Sequence, residues 1–569
     1  MYPFLRKIWQ RYCLGLIFLV IADLLQLYIP RLIGNAIDHL ATTDNALNRD
    51  LILLGVVTAA IALFRYLYRE GIMGSARLLE FYLREQLYRH ALRLPMDYYD
   101  RHGPAQVMAL TTNDISAVRV AVGLGSMLLV DAVIMGVVAF MVMGSHIHWG
   151  LTVLAVLPLP VILMIATWMG DTVHRRFRAV QEQFAALTEF SQEILSGLQV
   201  IKGFAAEQRA AAKFKTESEK VLAINLAMAK LQAAYIPLTH LAPLASYAVA
   251  LYVGGLLLIE GTITVGEFTA FIGYLGLIIW PVMGLGYLIN IIQRGTASLI
   301  RLVNILTERT DECYAEAAVP DLRNSAIEIV NLSFRYRLSE KPALQNFSLI
   351  VPPGKMVGIV GPTGAGKSTL LKLLLRLYEP PVGTIYIGGR EIHELNCSGL
   401  RQAFGYVPQE NILFARSVGD NIGFDKAYPR TEIEDAARKA VVKEAIDKKI
   451  FGFETLLAER GRVLSGGQQQ RISIARALIK KPPVLLLDDI FSALDYQTQA
   501  ELLANLREII QGCTTILVSQ RVKVVKDADL IVVIDKGCIV EQGTHQELVA
   551  RNGLYRRLYE QQTDFGDIE

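Results

Sequence analysis

Residues 356–369 read MVGIVGPTGAGKST, and this stretch decides the fold of the second half of the chain. An apolar strand, Met356 to Val360, runs into Gly361-Pro362-Thr363-Gly364-Ala365-Gly366-Lys367-Ser368 and then Thr369, a match to GxxxxGK[ST] that leads into a helical pattern. Glycines let consecutive backbone N–H groups close around phosphates, and the helix N-terminus behind them favours negative charge. Lys367 is placed to reach β/γ-phosphates and Ser368 to take Mg²⁺.

Around this loop, short apolar runs alternate with helical stretches: TIYIG, FGYVP, PVLLLD, TTILVS and LIVVID follow from residue 384 onward. The alternation predicts an α/β domain with a largely parallel sheet. Val484 to Asp488 is an apolar strand ending in a carboxylate, the edge where open α/β sheets bind ligands and where an Asp holds Mg²⁺ through water. Between these two motifs lies Leu464-Ser465-Gly466-Gly467-Gln468, small residues at the start of the helical run QQRISIARALI. This second phosphate-suited helix start makes sense if it faces the nucleotide held by another domain.

The first 300 residues are of a different kind. Apolar segments lie near 13–34, 51–70, 123–146, 149–170, 236–259 and 266–292. Each is close to the roughly 20 residues that cross a bilayer core, where only internally bonded helices are stable. Connections 2–3 and 4–5 are long and helical in pattern, so helices are expected to run well past the bilayer there. Those extensions carry Arg77, Arg84, Arg89, Arg93 and Arg101, then Arg175, Arg176, Arg178, Lys202 and Arg209, whereas the loop after the first segment holds Asp38, Asp44, Asp50 and one arginine, Arg49. The positive-inside rule places the extensions and both termini in the cytoplasm. The basic start followed by a long apolar run reads as a retained first membrane helix rather than a cleaved leader.

Composition agrees with this division. The chain is 52% hydrophobic and 20% charged, more apolar and less charged than a soluble domain. A net charge of +3 is too small to imply a nucleic-acid partner. The five cysteines show no CxxC spacing, which argues against a zinc site or a disulfide framework and fits a reducing cytosol. The polar, acidic stretch 307–325 reads as a linker, giving a membrane domain at 1–306 and an α/β domain at 326–569.

In this order the motifs resemble the ABC transporter family over nearly the whole chain, with LSGGQ as its signature, and the layout resembles the exporter-type half-transporters. The resemblance implies a six-helix all-α transmembrane domain plus a P-loop nucleotide-binding domain. It implies ATP and Mg²⁺ as ligands, and closure of two such domains head to tail around two ATP. By the same resemblance Tyr336 stacks on adenine and Gln409 contacts Mg²⁺ together with Ser368 and Asp488. Ser492-Ala493-Leu494-Asp495 crosses the dimer interface, and Leu464, Ser465, Gly466, Gly467, Gln468 and Asp495 serve the partner's ATP. Thr111–Arg119 and Ile201–Glu207 resemble segments carrying cytoplasmic coupling helices, and Glu459–Gly461 resembles the exporter cross-talk loop.

Two positions depart from the family pattern. Where the family has a general-base Glu after the strand-terminal Asp, this chain has Asp489, one methylene shorter. Misplacement by about 1 Å can cost on the order of 10²-fold in rate. Where the family has a switch histidine, this chain has Gln520, which can donate a hydrogen bond but carries no imidazolium charge. With LSGGQ intact, the chain resembles the degenerate-site subunit of a heterodimeric exporter. The expectation is ATP-dependent, multidrug-type export of hydrophobic or amphipathic compounds across the cytoplasmic membrane, paired with a second half-transporter. A homodimeric lipid flippase is the alternative. Intramembrane Asp23, Asp131 and His240 are candidate cargo contacts, and Tyr274, Trp280 and Met283 are candidates to line an apolar cavity.

Overall fold

A computed structural model describes residues 2–42, 46–310, 322–424, 426–457, 464–510 and 512–564. The chain forms two units. The first comprises residues 1–92 and 105–308, and the second comprises 93–104 with 309–569.

The first unit is helical throughout. Its main helices are Tyr2–Thr42, Ala46–Ala91, Pro160–Ser196, Glu207–Ile259 and Val265–Leu306. Residues 105–146 form one further rod, in which π-helical turns at Leu110–Asp114, Ala121–Gly125 and Ile134–Val138 interrupt α-helix. Glu207–Ile259 has 53 residues. At 1.5 Å per residue that is about 80 Å, so this helix runs far beyond the roughly 30 Å of hydrocarbon.

Among the described residues, five helices are long and apolar enough to cross a membrane. The span expected at 149–170 is present as two pieces, Trp149–Val156 and the start of Pro160–Ser196, separated by a turn at 157–159. Pro158 lies in the break and Pro160 just after it, and each removes a backbone donor that an unbroken helix would need. His148 begins the first piece, its ring Nδ1 accepting from the Leu151 amide at 3.1 Å.

Helices of this unit touch through small residues. A Cβ on Gly34 would stand 2.4 Å from the carbonyl oxygen of Gly266, so glycine is required where helices Tyr2–Thr42 and Val265–Leu306 meet. Asp38 fixes that meeting point. Its carboxylate accepts from the Gly266 amide at 2.7 Å and from the Thr264 hydroxyl at 2.6 Å. Thr264 and Glu267 also form a reciprocal cap on the helix start.

The second unit holds two sheets. We number its strands β1 (Ile327–Phe334), β2 (Leu344–Val351), β3 (Met356–Val360), β4 (Ile385–Ile387), β5 (Arg390–Glu391), β6 (Phe404–Val407), β7 (Val484–Asp488), β8 (Thr514–Ser519), β9 (Leu530–Asp535) and β10 (Cys538–Gly543). The larger sheet runs β10-β9-β3-β8-β7-β6 and is parallel except at the β10 edge. The smaller sheet, β2-β1-β4-β5, is antiparallel. β7 and β8 are buried along their whole length, as strands covered on both faces must be. Only the larger sheet carries the parallel order expected from the apolar runs. TIYIG belongs instead to the antiparallel sheet, through β4.

Candidate active site

β3 lies in the interior of the larger sheet, between β8 and β9, so the loop at its C-terminal end emerges where adjoining strand ends converge. The loop Gly361 to Gly366 leads into helix Lys367–Leu374. Two glycines are dictated by space. A Cβ on Gly361 would stand 2.1 Å from the Ile534 carbonyl oxygen. One on Gly366, which has φ +99°, would stand 2.3 Å from the Ala343 carbonyl oxygen. No L-residue with a side chain fits either position without moving backbone.

Lys367 is only 7% exposed, and its ammonium donates to the carbonyls of Gly361 and Pro362, each at 2.8 Å. Burial pulls its pKa below the usual lysine value, and the charges of Asp489 and Asp488 oppose that shift. The cation is thus held inside the curve of the loop, where a phosphate would meet it. The Ser368 hydroxyl donates to Asp488 Oδ1 at 2.9 Å, joining the first turn of the helix to the end of β7. Burial raises the pKa of Asp488, while the hydrogen bond from Ser368 works in the other direction. A hydroxyl and a carboxylate side by side are hard oxygen donors of the kind Mg²⁺ selects.

A cleft of about 250 Å³ gathers these groups. Tyr336, Thr363 to Thr369, Gln409, Asp488, Asp489 and Gln520 all line it. Tyr336 donates to the Thr369 hydroxyl at 3.2 Å, and its ring meets that of Tyr378 edge-on, with centroids 5.0 Å apart. Gln520 reaches across the mouth of the cleft, where its Oε1 accepts from the Thr363 hydroxyl at 3.3 Å. Asp489 has φ +48°, a left-handed conformation that Asp tolerates better than most residues. Its amide donates to Val518 at 2.9 Å, and its carbonyl accepts from the Gln470 side chain at 3.2 Å and from the Ser492 hydroxyl at 3.0 Å. Ala343 and Val518 also line the cleft. They escaped the sequence reading because their part is to shape the wall, which leaves no motif.

The structure keeps the signature residues out of this cleft. Ser465 caps helix Gly466–Leu478 in a reciprocal box with Gln468. Gly467 lies against the Ala493 carbonyl, 2.9 Å from where a Cβ would stand. Leu464 to Gln468 and Ser492 to Asp495 therefore lie side by side, joined where Gly467 meets Ala493. Asp495 Oδ1 accepts from the Thr498 amide at 2.9 Å at the head of helix Tyr496–Ile510. Glu459 to Gly461 lie outside the described residues.

Residues 93–104 belong to this second unit although they interrupt the first. The Tyr378 hydroxyl donates to Asp100 Oδ2 at 2.7 Å, and Arg337 pairs with Asp97 at 3.2 Å. This segment precedes the Thr111–Arg119 stretch to which the sequence reading assigned the first coupling helix. In that stretch Asp114 is 8% exposed and is held by Arg301, whose Nε donates to it at 3.0 Å within the first unit. The Asp97 and Asp100 contacts come from tertiary docking, and helical patterning gave no sign of them. Ile201 lies in the short helix Leu198–Gly203. Phe204, 82% exposed, follows it, and the next long helix begins at Glu207.

In the first unit Asp23 is 6% exposed, and its carboxyl meets that of Asp131, with Arg65 close by. Tyr274 is buried, Trp280 is exposed, and His240 is exposed on helix Glu207–Ile259.

Comparison with known proteins agrees with this architecture. Residues 12–282 match the model of the ABC transporter transmembrane region, and residues 344–492 match the ABC transporter model. The chain is 37% identical to the probable multidrug resistance ABC transporter ATP-binding/permease protein YheI of Bacillus subtilis, covering 99% of this chain and 97% of that protein. It is 35% identical to the multidrug resistance-like ATP-binding protein MdlA of Escherichia coli, over 98% and 95% of the two chains. It is 34% identical to the ATP-dependent lipid A-core flippase of Pseudomonas aeruginosa, over 84% and 79%. A solved bacterial Atm1-family ABC exporter with ATP bound superposes with a TM-score of 0.80 at 24% identity, over 97% and 98%, and so shares the fold. A transmembrane region, a P-loop ATPase domain and end-to-end similarity to these proteins place the chain in the ABC transporter superfamily, among the exporters.

Proposed function

We propose that the chain is one half of a heterodimeric, multidrug-type pump that exports hydrophobic or amphipathic compounds across the cytoplasmic membrane by alternating access. Both termini and the nucleotide-binding unit face the cytoplasm. ATP binds in the cleft of Lys367, with Tyr336 against the adenine. Ser368, Asp488 and Gln409 would hold Mg²⁺, which supplies charge neutralisation at the β/γ-phosphates. The Leu464–Gln468 surface, with Asp495, meets the nucleotide on a second half-transporter. The names of YheI and MdlA favour drug-like cargo.

One observation carries the asymmetric reading: Asp489 and Gln520 line the same cleft as Lys367. The two groups that would activate water and sense the γ-phosphate are therefore a short carboxylate and an uncharged amide. Binding survives such changes, whereas hydrolysis depends on sub-ångström placement. This chain's cleft becomes the slow site, and its intact signature completes the competent one. ATP binding closes the nucleotide domains, and hydrolysis, mainly at the partner's catalytic residues, resets them.

The test is ATPase turnover of the purified chain alone and after pairing with a second half-transporter. Weak turnover alone and normal turnover when paired is the expected result. Full turnover of the chain alone removes the degenerate-site reading and favours the homodimer. Unchanged nucleotide affinity after Lys367→Ala removes the site altogether. The lipid A-core flippase relative keeps a homodimeric lipid flippase as the second reading, and flipping of labelled lipid by the unpaired chain in vesicles would establish it.

A further inference from the structure

Helix Ala46–Ala91 presents a row of arginines to an open cleft of about 1110 Å³ in the first unit. Arg65, Arg69 and Arg77, spaced by four and eight residues, all line this cleft. Arg65 to Arg77 covers about 18 Å along the axis at 1.5 Å per residue. Arg11 joins them from helix Tyr2–Thr42.

Two of the four are compensated. Arg11 pairs with Glu70. Arg65 donates to Gln26 Oε1 at 2.7 Å and lies near the Asp23 and Asp131 carboxyls. Arg69 and Arg77 are exposed and have no acidic partner among the described residues. The cleft therefore keeps a surplus of positive charge at these two positions.

Depth gives the surplus its meaning. Gln26 is well inside the apolar run 13–34, so Arg65 beside it is well inside the hydrocarbon layer. An arginine facing lipid tails at that depth costs at least about 2.5 kcal/mol, which is why intramembrane arginines face polar cavities or bound ligands. Toward its other end the cleft is walled by Thr58, Ile61 and Ala62, which are small or apolar. Fixed cations running from the cytoplasmic side into an apolar groove complement a molecule with an anionic head and a hydrocarbon tail.

We propose that this cleft binds an anionic phospholipid of the membrane, its headgroup phosphate between Arg69 and Arg77 and its chains along the Thr58–Ala62 end. This deepens the export reading by naming a ligand class for the membrane unit, and it rests on that reading for the unit's place in the bilayer.

The experiment uses the full chain with its partner in nanodiscs of phosphatidylcholine carrying a minor fraction of phosphatidylglycerol. Retained lipid is counted by native mass spectrometry, and Mg-nucleotide binding is measured on the same sample. Phosphatidylglycerol should be enriched over its bulk fraction. Arg69→Gln with Arg77→Gln should lower that enrichment by about fivefold per arginine, on the order of 25-fold together. Arg69→Lys with Arg77→Lys should keep most of it and controls for folding. Equal retention of the two lipids by the unaltered protein overturns the proposal, as does an enrichment that survives the double glutamine change. Displacement of the lipid by millimolar inorganic phosphate overturns the lipid source, because a tail-anchored ligand resists it. In the unaltered protein, absent enrichment beside intact nucleotide binding sinks this inference alone, whereas absent nucleotide binding sinks the export reading.

Discussion

The hydroxyl of Ser368 donates to Oδ1 of Asp488 at 2.9 Å, so the first turn of the P-loop helix is tied directly to the last residue of β7. The two residues are 120 positions apart in sequence and supply two hard oxygen donors to one point. Asp488→Asn keeps the size of the side chain but removes its charge. The variant should bind nucleotide almost as well as the parent without Mg²⁺ and lose most of the gain that Mg²⁺ confers, on the order of tenfold or more. Titration of a fluorescent nucleotide with and without Mg²⁺ reads this out. An unchanged gain would remove Asp488 from the metal.

Asp489 and Gln520 can be changed toward groups of fuller catalytic power. Asp489→Glu extends the carboxylate by one methylene toward the cleft, and Gln520→His supplies a ring that can carry charge. Neither is expected to restore turnover alone as well as the pair does, because both line the one cleft. The double variant should raise turnover of the unpaired chain on the order of 10²-fold. Turnover that stays flat while ATP affinity is unchanged would mean that the slow step lies elsewhere.

Acid should loosen the surface proposed to meet the partner. The Thr498 amide holds the Asp495 carboxyl below its usual range. A depressed carboxyl stabilises the fold above the unfolded-state value, about pH 3.9, and that contribution is lost as pH falls through its own lower value. Asn caps a helix about as well as Asp and does not titrate. Protection factors in helix Tyr496–Ile510, corrected for the intrinsic pH dependence of exchange, should therefore fall in acid for the parent chain and hold to lower pH in Asp495→Asn. Equal acid sensitivity of the two would leave Asp495 without a capping role.

What the sequence could disclose follows the range of each interaction. Lys367, Ser368 and the glycines around them are legible because a phosphate loop is local: eight consecutive residues carry the whole device. Asp488 is legible because a strand must end where its carboxylate is used. The break at 157–159 was written in Pro158 and Pro160, yet the hydropathy of 149–170 as a whole concealed it. The antiparallel sheet was masked by the apolar runs of its parallel neighbour, and along β1 burial alternates only from Ile327 to Ile329 before a register shift interrupts it. The contacts of Asp97 and Asp100 had no local sign, since a helical surface reads the same whether or not another surface docks on it. The convergence of Asp23, Asp131 and Arg65 from three helices is equally non-local.

Docking of residues 93–104 is open to test through Tyr378 and Asp100. These residues lie between two stretches of the membrane unit in sequence but fold with the nucleotide unit, so a link from one unit to the other through them is a testable expectation. Burial, and after it the hydrogen bond to Asp100, raise the pKa of the Tyr378 phenol. A raised acid stays protonated in the fold, so this contribution is fully present below about pH 10 and is lost only as pH rises past the folded value. Ordinary assays therefore see the donor intact. Tyr378→Phe removes that donor and leaves the ring packing in place. ATP affinity should hold, while the stimulation of ATPase by transported compounds should fall roughly fivefold, the scale of a coupling near 1 kcal/mol. Asp100→Asn, which still accepts a hydrogen bond, should lose less than Tyr378→Phe. Stimulation that survives Tyr378→Phe in full would show that force passes between membrane and nucleotide units by another route.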